Sequence, residues 1–273
     1  MDFKTQHDVA PQRAMPYTKA RTAAVVLVTI GPLLGLGTVA GAAAAANATP
    51  RGLAFTVDSL NWAGYAVTAS TGSVTQVTGS WVQPAVTCSR STTYAAFWDG
   101  IDGYSSDTVE QGGTLAYCSG GHASYYAWYE FYPAASVEIG SLAVTPGSTI
   151  SVTVSYSSSA SEFSVTVAVG SSSSSTTGTV SGAQRTSAEC IAERPEVNGR
   201  LASLAEFGTA EFGADHTSTI GCGATVGGTT GTFGSFSTAV AINMVDSADR
   251  ALSTTGALSS DGSSFTETWD ASS

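Results

Sequence analysis

Phe163-Ser-Val-Thr-Val-Ala-Val169 sets an apolar side chain at every second position, with serine, threonine or alanine between. A period of two built from β-branched and aromatic residues is the signature of a half-buried strand. Val152 and Val154 alternate with serine and threonine in the same way, and Val74, Gln76 and Thr78 alternate with Thr75, Val77 and Gly79. Pro146-Gly147, Gly227-Gly228 and Asp261-Gly262 punctuate these runs as turns. Ser157–Ser161 and Gly170–Gly178 read as exposed serine-rich loops, and Asn198–Ala205 as a helical turn. No window carries a sustained 3.6-residue stripe. Many short, closely spaced strands predict an all-β domain, a two-sheet antiparallel β-sandwich over residues 58–273, with no internal boundary or fixed-period repeat.

Residues 1–48 read differently. Lys19 and Arg21 precede an apolar run, Thr22 to Ala40, and an alanine-rich stretch ending Ala46-Asn47-Ala48. A basic flank, an apolar run and small residues at the exit predict a secretory signal cleaved near Ala48, with Met1 or Met15 as its start. The alternative is a retained anchor, but Gly31, Pro32, Gly35, Gly37 and Gly41 interrupt the run. Residues 49–57 form a tail too short for a folded pro-domain. No later stretch approaches the ~20 apolar residues of a membrane span, so the mature protein is expected in the extracellular medium, free of membrane.

The chain has 273 residues, 10 Lys and Arg against 21 Asp and Glu, and a formal net charge of −11. Residues 1–48 hold two of the acids and four of the bases, leaving 19 acids, 6 arginines and no lysine. Nucleic acid is excluded as a partner, since phosphate binding needs a basic footprint. With so few bases, protonating the carboxylates leaves little positive charge to repel itself, which suits work in acid. An ordinary acidic extracellular protein, kept soluble by its charge, has the same composition. Four cysteines fit an oxidising compartment. Of the three pairings, Cys88 with Cys118 and Cys190 with Cys222 is the favoured one. No C-x-x-C occurs, so zinc and thioredoxin chemistry have no support.

The nucleophile-elbow, zinc-protease and phosphate-loop motifs are all missing. His122 and His216 stand alone in glycine- and threonine-rich sequence, better read as solvated loop residues than as members of a scattered triad. The carboxylates and aromatics say more. Alternation puts Trp98, Gly100 and Asp102 on one face, Trp128, Glu130 and Tyr132 on another, and Glu189, Ile191 and Glu193 on a third. Acids alternating with large aromatics fit a cleft that grips an extended ligand. Amphipathic packing, with tryptophans in the core and glutamates in water, fits the same pattern.

Five segments occur in a fixed order: Asn61-Trp62-Ala-Gly64, Trp98-Asp-Gly-Ile-Asp-Gly103, Val109-Glu-Gln111, Tyr126-Ala-Trp-Tyr-Glu-Phe-Tyr-Pro133 and Ala188-Glu-Cys-Ile-Ala-Glu193. Together they resemble the glutamic peptidases, or eqolisins, over roughly residues 58–270, closest to the bacterial members. The resemblance implies a concanavalin A-like sandwich and an acid-acting endopeptidase of polypeptide substrates, monomeric, with no metal or cofactor. It places the catalytic pair on Gln111 and Glu193. Trp98 and Asp102 match the family's tryptophan and aspartate beside the site, Trp128 and Glu130 its second aromatic–acid pair, and Glu189 the first glutamate of the last motif. Chemically, ionised Glu193 would take a proton from an attacking water and return it to the leaving amine. The Gln111 amide would donate to the developing oxyanion, and it keeps the same donors throughout the acid range.

Departures from the family pattern are Asp99, where an apolar residue is usual, Cys190 in place of an aromatic, Ala192 in place of a larger aliphatic and Gly112 in place of a bulkier residue. The spacing from Ile101-Asp-Gly to Gln111 is one residue shorter than the fungal one. Two other functions compete. A glycoside hydrolase needs carboxyls about 5–9.5 Å apart, which excludes Glu189 with Glu193, about 13 Å apart along one strand, but not Glu130 with Glu193. A non-catalytic carbohydrate- or peptide-binding module would stack its ligand on Trp98 and Trp128.

Overall fold

Antiparallel register ties together every segment that the alternation marked. In the computed structural model the described residues are 55–273, together with the backbone of two short strands, Val9–Ala10 and Pro16–Arg21. The apolar run Thr22–Ala40 and the cleavage point near Ala48 lie outside the described residues. Among those described, no helix is long and apolar enough to cross a membrane.

One sheet runs in the order β1 (Phe55–Ser59), β14 (Ala239–Val245), β2 (Trp62–Thr68), β10 (Ser187–Glu193), β4 (Thr93–Ile101), β5 (Val109–Ser119) and β6 (His122–Tyr132). All its neighbours are antiparallel except β1 with β14. The second sheet runs β13 (Thr229–Thr232), β12 (Gly223–Val226), β3 (Val74–Val82), β7 (Thr149–Ser157), β8 (Glu162–Val169) and β9 (Ser172–Gly178). At one margin β11 (Thr209–Phe212), β16 (Phe265–Trp269) and β15 (Ala251–Thr255) lead from β3 round to β14. The sheets face each other as the expected sandwich. Phe163, Val165 and Val167 of β8 and Val152 and Val154 of β7 bury into one core with Tyr65, Phe97 and Trp81. Their hydroxyl-bearing neighbours point outward, half-exposed.

Three expectations are corrected. Ser172–Gly178 is a strand rather than a loop. It pairs residue for residue with β8, with Ser174 and Thr176 opposite Val167 and Val165 and the remaining hydroxyls in water. Serine-rich composition marked it as an exposed loop, but pairing to a strong neighbour makes it a strand. Asn198–Ala205 is no helical turn: Arg200–Leu201 folds back on Glu196–Val197 as a small antiparallel pair. In β3 the alternation slips. A register shift beside Thr225 lets both Val74 and Val77 turn inward, so Val74 shares the core face and not that of Gln76 and Thr78.

The disulfides join Cys88 to Cys118 and Cys190 to Cys222. The second ties β10 of one sheet to the entry of β12 in the other. Asp99 and Gly112 also face the core. A Cβ on Gly112 would lie 2.6 Å from Val165 Cγ1 and 2.9 Å from Val167 Cγ2, so the sheets approach too closely for a larger residue. Asp99 is fully buried beside the Cys190–Cys222 bridge, with both oxygens unpaired. Burial holds its carboxyl well above the ordinary value.

Candidate functional site

The outer face of the first sheet carries the site residues in three successive cross-strand rows. The register aligns Glu189, Gly100, Gln111 and Glu130 in one row, Ile191, Trp98, Gly113 and Trp128 in the next, and Glu193, Ala96, Leu115 and Tyr126 in the third. Residues two apart share a face, so all of these side chains stand on the same side of the sheet. Gly113 is required in the middle row: a Cβ there would lie 2.7 Å from Trp98 Cβ. Its absence lets the Trp98 ring lie against the strand, and Trp62 meets that ring edge-on at 4.8 Å.

Glu193 is held from both sides. Asn61 Nδ2 donates to its Oε1 at 3.2 Å, and Trp98 Nε1 donates to its Oε2 at 2.8 Å. Asn61 is itself aimed by Ser59, whose Oγ donates to Asn61 Oδ1 at 3.2 Å and caps the turn by accepting from Trp62 N. Hydrogen bonds to the charged form favour ionisation, and neither donor titrates in acid. Gln111 is held by a different residue, donating from Nε2 to Glu130 Oε2 at 2.6 Å while its Oε1 is unpaired. Burial, reinforced by the nearby Glu193 charge and opposed by the Gln111 bond, places the Glu130 carboxyl well above the ordinary range. Glu193 and Gln111 therefore share a face two rows apart, with the Trp98 row between them.

Glu130, Glu189 and Glu193 are all fully buried, so the pattern with glutamates in water is overturned. Trp98 and Trp128 pack with Trp62, Leu115 and Ile191 in a second apolar cluster on this face. Asp102 departs from its expected place. It lies past the end of β4 with φ 72°, so alternation no longer aims it. Its carboxylate accepts from the backbone N–H groups of Gln184, Arg185 and Thr186 at 2.6–2.9 Å and from Thr186 Oγ1. It fixes the loop that leads into β10, and through it the rows of Glu189 and Glu193. Two residues escaped the sequence reading. Asn61 stood in a recognised segment without a role, and Glu110, buried next to Gln111 in sequence, has its carboxyl pushed up to about 9 by burial and the Asp102 charge. Among the described residues, Asp99, Cys190 and Cys222 are the group of metal-ligand types that converges, and its sulfurs are spent in the disulfide.

A family model described as the Peptidase A4 family matches residues 60–267. The chain belongs to the peptidase A4 family. The match takes in all three rows and Asn61. Aspergillopepsin-2 of Aspergillus niger, a relative, is 34% identical over 178 residues, 56% of this chain and 62% of that protein. The chain thus matches less than two thirds of that relative's length. Aspergilloglutamic peptidase from Aspergillus niger superposes with a TM-score of 0.55 at 30% identity, over 65% of this chain and 99% of that one. Scytalido-glutamic peptidase with a transition state analog inhibitor gives a TM-score of 0.64 at 22% identity, over 77% and 98%. That likeness concerns the fold: the peptidase A4 chain shares the β-sandwich of these glutamic peptidases.

Proposed function

We propose that this peptidase A4 chain is a secreted, acid-acting endopeptidase that cleaves polypeptides with Glu193 and Gln111 and without a cofactor. The observation that carries the reading is the clamp on Glu193, one neutral N–H donor on each carboxylate oxygen, on the face that also bears Gln111. Ionised Glu193 removes a proton from a water as its oxygen attacks the scissile carbonyl carbon. The carbonyl oxygen becomes the oxyanion and accepts from the Gln111 amide. The C–N bond then breaks, the Glu193 proton passes to the leaving nitrogen, and a new carboxyl and amine depart. Secretion rests on the apolar run Thr22–Ala40 and fits the two disulfides.

The direct test is cleavage of an acid-denatured protein beside cleavage of a β-glucan, both at low pH. Peptide products alone support the reading, whereas sugar products or binding without turnover transfer it to one of the rivals. Gln111→Ala removes one oxyanion donor and is expected to lower kcat about 10²–10³-fold with KM little changed. A raised KM with kcat unchanged would confine Gln111 to ground-state binding.

Asn61→Leu strips a donor from Glu193 and leaves the indole. Ionisation of Glu193 should then need a higher pH, moving the acid limb of kcat/KM upward by about one unit. An unmoved acid limb in the folded variant would show that Asn61 does not set the Glu193 charge.

A further inference from the structure

Glu130 faces Gln111 directly across the β5–β6 pair, and their side chains meet at 2.6 Å. Both residues are fully buried, and the second oxygen on each side, Gln111 Oε1 and Glu130 Oε1, has no partner. An ionised carboxylate only accepts, whereas a carboxylic acid also has an O–H to donate. The charge of Glu130 therefore decides which way the Gln111 amide turns. Ionised Glu130 takes an N–H and leaves Gln111 Oε1, without a partner, as the free end of the amide. A lone pair presented to the reacting carbonyl repels an oxyanion. Protonated Glu130 can donate to Gln111 Oε1, and both amide N–H groups then face the side of the reacting carbonyl.

Resting on the Gln111–Glu193 reading, we propose that Glu130 is a positioning residue that must carry a proton for Gln111 to act as oxyanion donor, and that its ionisation closes activity on the alkaline side. The surroundings are arranged for this. The Glu193 charge on β10 bears on it, Glu189 lies along its own row beyond Gln111 and Gly100, Tyr126 and Tyr132 share its face on β6, and Glu138 pairs opposite Trp128. No base is among these groups, and the Glu193 charge opposes a charge on Glu130. The dyad alone does not account for an alkaline limit, because a glutamate base stays ionised as pH rises. Two carboxyls with environments that differ, one kept ionised by donors and one kept protonated by burial, yield a bell.

The test is the pH profile of kcat and KM for wild type, Glu130→Gln and Glu130→Leu on a soluble peptide, with circular dichroism recorded at each pH to confirm folding. Gln at 130 donates an N–H to Gln111 Oε1 at every pH. Its alkaline limb in kcat should move up by about one unit or more, with the acid limb and KM little changed. Leu offers no donor, so its kcat should fall about tenfold or more throughout. An alkaline limb at the wild-type pH in folded Glu130→Gln, or full activity in Glu130→Leu, overturns the proposal. If neither variant folds, the 15N-labelled wild type decides: the side-chain N–H signals of Gln111, identified by their loss in Gln111→Ala, must shift with the alkaline limb. Signals that do not shift overturn it. Glu193→Gln, run in parallel, separates the two readings, because an active Glu193→Gln removes the dyad itself and not the Glu130 assignment alone.

Discussion

Glu193→Gln is expected to lower kcat/KM on a peptide by about 10⁴-fold while the sandwich stays folded, the upper part of the range for a general base. The substitution keeps size and shape and removes the one group proposed to take the proton from water. It also changes the local hydrogen bonds in a definite way. Asn61 Nδ2 and Trp98 Nε1 are both donors, and a glutamine can present an oxygen to one of them only. Its own NH₂ then meets the other N–H, a mismatch costing about 1–3 kcal/mol. Loss of a buried charge offsets part of this, so thermal unfolding should shift by a few degrees and not abolish the fold. The readouts are kcat/KM in acid and a far-ultraviolet dichroism spectrum. A folded Glu193→Gln protein that cleaves at the wild-type rate rules out Glu193 as the base, whatever else Gln111 does.

The fold was legible because a half-buried strand writes itself as alternation, and Phe163–Val169 keeps that pattern without a break. Alternation fails where the backbone departs from a plain strand, and two misses have that origin. The register shift beside Thr225 turned Val74 inward. Asp102 sits at φ 72° beyond β4, and three backbone N–H groups of the next loop capture it. Gly170–Gly178 was misread for another reason, since composition reports solvent exposure and not pairing, and its upper part is a paired strand. The site shows the same division. Gln111 and Glu193 were named from ordered segments, and the register of β10, β4 and β5 puts them on one face. Their partners did not follow. That Asn61 holds Glu193 and Glu130 holds Gln111 depends on cross-strand register over 132 and 19 residues of separation, which no local pattern encodes. Nor does parity show whether an outward-facing glutamate meets water or a tryptophan cluster.

The burial of acids has a consequence for the whole molecule: stability should fall as pH rises from about 4.5 toward neutrality. Asp99, Glu130 and Glu189 all have carboxyls well above their ordinary values, and desolvation is the first cause in each. Burial likewise pushes Glu110 to about 9 and Glu267 to about 8. Ser253 Oγ donates to Glu267 Oε2 at 3.1 Å, and Thr255 and Ser253 only partly offset the burial. The sign follows from proton counting. Below about pH 4 these groups are protonated in both states and contribute nothing. Above it the unfolded chain releases protons that the folded chain retains, which favours unfolding by about 1.4 kcal/mol for each unit of separation. The loss continues until the folded group ionises, at about 8 for Glu267 and about 9 for Glu110. Asp261 and Asp246 act in the opposite direction. The Ser259 hydroxyl and the Arg250 backbone N–H are the leading causes that lower their carboxyls, so they lose stability only in strong acid. Thermal unfolding followed from pH 4 to 8 should therefore show a falling Tm. Glu267→Gln, which retains an acceptor for Ser253 and cannot ionise, should flatten that slope, most clearly between pH 4.5 and 8. A Tm that holds or climbs across this interval in wild type would mean that the buried carboxyls find counter-charges or water when they ionise. Only six arginines and no lysine follow residue 48, so the fold has few cations to supply such partners, and acid is where its core costs least to keep closed.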